Sequence, residues 1–113
     1  MAKATKHDRG KIRYDLLPPE ALEQVANVFT IGANKYGGRN WEGGIEYGRV
    51  FGALMRHAWA WWRGETFDAK DGQHHLASVA FCALALLQYE CVGPRNDDRP
   101  KGKENALQID QDI

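Results

Sequence analysis

No charge of either sign is in excess. Fifteen Lys and Arg side chains are balanced by fifteen Asp and Glu, so the global field that draws proteins onto nucleic acid or anionic membranes is missing. Any attraction for a polyanion has to be local. Cysteine is scarce as well. Cys82 and Cys91 fall on one predicted helix, about 13 Å apart in rise, which excludes a disulfide between them. They read as buried thiols of a cytoplasmic protein. The opening MAKATKHDRGK has no apolar core and is not a secretory signal. The longest apolar run, residues 76–87, is broken by Ser78 and is too short for a bilayer. Strand alternation, repeats and low-complexity tracts are lacking too. The expectation is one domain with a single core, with neither a membrane nor a nucleic-acid polymer as partner.

What is present is helical periodicity. Residues 1–19 form a polar arm ending in Leu16-Leu17-Pro18-Pro19, which predicts an arm pinned against the domain. Lys11 and Arg13 in it are either an extended phosphate clamp or part of a solvated tail. Helix one follows the prolines, with Leu22, Val25, Ala26 and Phe29 as its apolar stripe, and ends between Gly32 and Gly37. Glu20 and Glu23 lie one turn apart, sharing a cation or favouring the helix N-terminus. Helix two runs from about residue 45 to 63. Val50, Leu54, Ala58 and Trp61 form one apolar row, and Phe51, Met55, Trp59 and Trp62 a second. So wide a face places the tryptophans in the core or an interface. Helix three, from Asp71 to about residue 90, is apolar on nearly every side, which three helices cannot cover. The predicted fold is therefore all-α: a compact helical bundle with three main helices per chain, completed by oligomerisation as a homodimer or homotetramer. The helical core spans 20–92. Residues 93–113 form a polar tail whose anchors, if it docks, are Leu107, Ile109 and Ile113.

Residues 56–75, RHAWAWWRGETFDAKDGQHH, join helices two and three. A helical hairpin brings its ends together, so His57 and His75 fall at similar depth on neighbouring helices. Glu65 and Asp68 lie in the loop above, Asp71 and His74 on the first turn of helix three. Carboxylates and imidazoles gathered at one end of a helix pair suit a divalent cation; the plainer alternative is a solvated loop. Arg49, Arg56 and Arg63 recur every seven residues on one face, with Gly52, Ala53 and Ala60 leaving a groove beside them. Such a groove suits a polyphosphate. The loop Lys35-Tyr36-Gly37-Gly38-Arg39-Asn40-Trp41 either offers cations, an amide and rings to a purine nucleotide or simply covers the core.

Several strings resemble a known family. Asp8-x-Gly10-Lys11-x-Arg13-x-Asp15-Leu16-Leu17-Pro18-Pro19-x-Ala21-Leu22 is similar to the opening of the phage-type dATP/dGTP diphosphohydrolase domain. Gly32-Ala33-x-Lys35-Tyr36-Gly37, Asn40-Trp41, Arg56-His57, Gly64-Glu65-x-x-Asp68 and His75-Leu76-Ala77 follow in the same order. That family resembles the all-α, MazG-like nucleoside triphosphate pyrophosphatases. The resemblance implies Mg2+ (or Mn2+) as cofactor and hydrolysis of dATP or dGTP to the monophosphate and pyrophosphate, in the host cytoplasm for a phage-encoded chain. It implies metal-binding or water-activating roles for Glu65, Asp68 and His75, with His57 close by. Phosphate or sugar contacts are implied for Lys11, Arg13, Lys35 and Arg56, and nucleotide contacts for Asn40 and Trp41. Arg49 joins this substrate set through the arginine stripe. The chain departs from the pattern at Ser78 and Cys82, where the family carries histidine and asparagine. That departure favours an alternative, a nucleotide or cyclic-nucleotide sponge that no longer hydrolyses.

Overall fold

Three helices form where the apolar periodicity places them. In the computed structural model, which describes residues 3–93 and 95–101, they are α1 (Pro19–Tyr36), α2 (Tyr47–Trp62) and α3 (His75–Val92). The tail positions Leu107, Ile109 and Ile113 lie outside the described residues. Proline is tolerated at the start of α1 because the first amides have no helical acceptor. The helix stops where Gly37 takes a φ of 95° and bonds the Ala33 carbonyl. A 3₁₀ turn, Asn40–Gly43, leads into α2. Among the described residues the one extended pairing is a single bridge between Phe67 and His74.

The middle position belongs to α3. Both α1 and α2 pack on it, and not on each other. The α2–α3 pair is antiparallel: Tyr47 and Val50 meet Cys82, Ala85 and Tyr89 at one end, and His57 meets His75 at the other. Aromatic rings fill the α1 side. Phe29 lies edge-on to Phe81 at 4.5 Å and to Trp41 at 5.5 Å, and the Tyr89 hydroxyl donates to the Trp41 carbonyl. This placement accounts for part of the apolarity of α3; Leu76, Leu84 and Leu87 remain exposed. The helix has the length and mean hydropathy, 1.5, of a membrane span, more than the run 76–87 suggests. It nevertheless carries buried His75 and Ser78 between its two neighbours, as a core helix does.

Five expectations are corrected, the first being Cys91, which is exposed where a buried thiol is expected. Helix three begins at His75, not Asp71, because Gly72 at φ 74° and a Gly72-to-Asp68 backbone bond close a loop there. Asp71 Oδ1 accepts from the Gln73 amide, and His74 caps the helix by accepting from Leu76. Helix two begins at Tyr47 rather than residue 45, its first amide bonded to the Asn96 carbonyl. The arm is not pinned: Leu16 and Leu17 are 69% and 50% exposed, and the 3₁₀ turn Tyr14–Leu16 packs on none of the helices. Of the two places expected for the helix-two tryptophans, core or interface, the core is excluded within one chain. Trp59 and Trp62 are 52% and 71% exposed, because α3 covers the Val50 side of α2 and leaves the other row outside.

Candidate active site

The end of α2 sets the site. Gly64, at φ 100°, follows the helix; its amide bonds the Trp61 carbonyl and the Glu65 amide bonds that of Ala60. This six-to-one and five-to-two pair is a Schellman closure, which needs a left-handed residue and hence glycine. It swings the chain back toward α3. The Asp68 amide then bonds the Gln73 carbonyl at 2.8 Å and the His75 amide bonds Thr66 at 2.9 Å. A small paired loop thus hangs Asp68 over the start of α3.

Three side chains converge there. One ligand atom each from His57, Asp68 and His75 lie within 4.8 Å of one another. The two histidines touch through their Nδ1 atoms at 2.9 Å, and Asp68 Oδ2 is 3.8 Å from His57 Nδ1. The other Asp68 oxygen accepts from the Lys70 amide at 2.9 Å, which fixes the carboxylate. Glu65 stands outside the trio. Its Oε2 is 2.9 Å from His75 Nε2. An ionised Glu65 makes that nitrogen the donor, so the His75 Nδ1 lone pair faces the cluster. Burial, reinforced by His75, pushes the His57 pKa down from its ordinary value, against the pull of Asp68 and Asp71. A neutral imidazole is the form that ligates a metal. Two imidazoles and a carboxylate at this depth make a fitting donor set for a divalent cation. His74 and Asp71 are taken up by helix capping and loop closure and stay out of it.

A groove of about 460 Å³ runs along α2 as far as Arg56, the residue before His57. Arg49 and Arg56 flank it, Gly48, Gly52 and Ala53 leave its space, and Ile45, Val50, Phe81 and Cys82 complete its lining. Arg63, third of the seven-residue series, is not part of it. Burial pushes the Cys82 thiol up, so it lines the groove as a neutral group. Arg56 and His57 are consecutive, so one turn of α2 serves both groove and trio.

Residues 1–99 match the family described as dATP/dGTP diphosphohydrolase, N-terminal. The chain belongs to that family. A dATP/dGTP diphosphohydrolase of Salmonella phage PMBT28 is 34% identical over 94 residues, covering 83% of this chain and 32% of the relative. The chain thus spans about a third of the length of that relative. No solved structure matches. The dATP/dGTP diphosphohydrolase N-terminal match runs through the arm, all three helices, the groove and the trio.

The remaining anticipated residues are not gathered at the groove. Arg13 forms a two-pronged bond to Asp15 at 2.8 and 2.7 Å and, like Lys11, sits on the exposed arm. Lys35 and Asn40 are exposed around the end of α1. Trp41 packs against Phe29 and Tyr89 and so covers the core, one ring removed from Phe81 in the groove. Glu20 and Glu23 are exposed on the first turns of α1. Phe81 as groove lining went unforeseen, although its position one turn from Ala77 and Ser78 on α3 carries the signal. So did Gln73, whose carbonyl holds Asp68 and whose side chain accepts from Asn27 of α1 at 3.0 Å.

Proposed function

We propose that this chain hydrolyses a purine deoxynucleoside triphosphate, dATP or dGTP, to the monophosphate and pyrophosphate, using a divalent cation held by His57, Asp68 and His75. The observation that carries the reading is the adjacency of Arg56 in the groove and His57 in the trio. The name of the Salmonella phage relative agrees with it. When bound, the cation would neutralise phosphate charge and lower the pKa of an attacking water. The chain's own residues do the rest. Glu65 orients His75, and the Lys70 amide fixes Asp68. Arg49 and Arg56 grip the leaving pyrophosphate through charge-assisted bonds. Two imidazoles favour a borderline ion, so Mn2+ fits this donor set better than Mg2+.

A second reading, the non-hydrolysing sponge, draws on Ser78 and Cys82. Both are buried on α3, and neither is a histidine or asparagine able to add to the trio. Incubation with dATP or dGTP and Mn2+ or Mg2+, followed by anion exchange, separates the two. The hydrolase yields monophosphate and pyrophosphate; the sponge returns intact nucleotide. Release of tripolyphosphate would contradict cleavage between the α and β phosphates.

The assembly belongs to the same proposal. Leu76, Leu84 and Leu87 of α3 and Phe51, Trp59 and Trp62 of α2 are exposed, and each set follows the spacing i, i+8, i+11. Each is therefore a stripe about 16 Å long on an antiparallel helix pair. A second copy offering the same pair would bury both stripes in a two-fold four-helix arrangement. Light scattering at micromolar concentration should give a dimer or tetramer, and Leu84→Glu with Leu87→Glu a monomer. A monomeric wild type refutes the assembly.

A further inference from the structure

After α3 the chain turns back over the start of α2. The Tyr47 N–H donates to the Asn96 carbonyl at 3.0 Å, and the Gly48 N–H donates to Asp98 Oδ1 at 2.7 Å. These amides belong to the first turn of α2, where no helical carbonyl can accept them. The positive end of the helix adds its attraction for a carboxylate. Two glycines make the close approach possible. A Cβ on Gly48 would stand 3.2 Å from Asp98 Oδ2, and one on Gly44 would collide with the Asn96 side chain.

Arg99 anchors the segment. Its guanidinium lies 5.5 Å from the Tyr47 ring centroid and makes a two-pronged bond to Asp97 at 2.8 and 2.6 Å. That pairing holds the Asp97 carboxyl at about 2. Asp97 is thereby neutralised locally. Asp98 is not: among the described residues it forms no ion pair.

Gly48 is also a wall of the groove flanked by Arg49 and Arg56. A carboxylate bonded to its amide therefore stands at the groove's rim. A polyphosphate drawn in by the arginines would meet a negative charge already seated on the helix end it would use. We infer that residues 95–101 act as an intramolecular competitor for the groove, with Asp98 standing where an end of the polyphosphate would otherwise bind. This inference rests on the reading of the groove as a polyphosphate site. It makes Asp98 a residue that limits affinity at that site, one that the ligand must repel or displace.

The test uses the full chain and inorganic tripolyphosphate, titrated calorimetrically in the presence of chelator so that only protein groups hold the probe. Asp98→Asn keeps an oxygen that can accept from Gly48 and removes only the charge; Asp98→Ala removes both. Asp98→Asn should bind tripolyphosphate about tenfold more tightly than wild type, the scale of one charge-assisted contact. Asp98→Ala should bind at least as tightly as Asp98→Asn, although it melts at a lower temperature. Affinity and melting temperature then move in opposite directions, which a plain helix cap would not produce. If both variants bind as wild type does or more weakly, the segment is only a cap and the inference falls, while the groove reading stands. If neither wild type nor variants bind tripolyphosphate, the groove reading falls with it.

Discussion

Asp68→Asn should abolish the proposed turnover of dATP and dGTP and leave the helices intact. The substitution keeps the shape of the side chain and an oxygen for the Lys70 amide, so the loop that hangs over α3 retains its closure. What goes is the charge facing His57. A cation held there by two neutral imidazoles and an amide would lose its only anionic ligand, and with it the charge balance that would favour a hard or borderline ion. The drop in kcat should exceed about a hundredfold, the upper range for outer-shell changes. Glu65→Gln should fall within that range, because Glu65 reaches the trio through His75 Nε2 rather than directly. Turnover and thermal melting of the two variants, measured side by side, check both statements. Wild-type turnover in Asp68→Asn would reduce the trio to a solvated loop.

The next largest effect concerns Arg56. Arg56→Ala should weaken nucleotide binding by roughly tenfold to a hundredfold, corresponding to about 1.5–3 kcal/mol for a charge-assisted hydrogen bond. Arg63→Ala is its internal control. Arg63 shares the seven-residue spacing but lies outside the groove, so its loss should leave affinity unchanged. Equal losses in the two variants would mean that the arginines act through general charge. An unchanged Arg56→Ala would remove the groove from the binding site.

The contrast between these arginines shows what could be read from sequence. Spacing places Arg49, Arg56 and Arg63 on one face, because a heptad nearly closes two helical turns. It does not say how far a groove beside that face extends, which depends on Phe81 and Cys82 from another helix. His57 and His75 were legible as a pair because a hairpin must return. Similar depth on neighbouring helices follows from the hairpin alone; the 2.9 Å contact depends on helix three starting at His75. Asp71 reads as the first turn of helix three, but Gly72 at positive φ leaves it in the closing loop. Trp59 and Trp62 show the limit of apolarity as a guide. A row of large rings states that something covers it, and α3 covers only the neighbouring row. The segment 95–101 left no apolar signature at all. Asn96 and Asp98 dock through backbone amides, and polar residues that do so look like any solvated tail.

The central claim is that His57, Asp68 and His75 hold a cation against a nucleotide gripped by Arg49 and Arg56. Its most direct test is calorimetric titration of a non-hydrolysable triphosphate analogue, with Mn2+ or Mg2+ and then with chelator. The account predicts much tighter binding with the cation in wild type, with Mn2+ ahead of Mg2+, and loss of that difference in Asp68→Asn. Equal affinity with cation and with chelator, together with no pyrophosphate release from dATP or dGTP, would contradict it and leave the sponge.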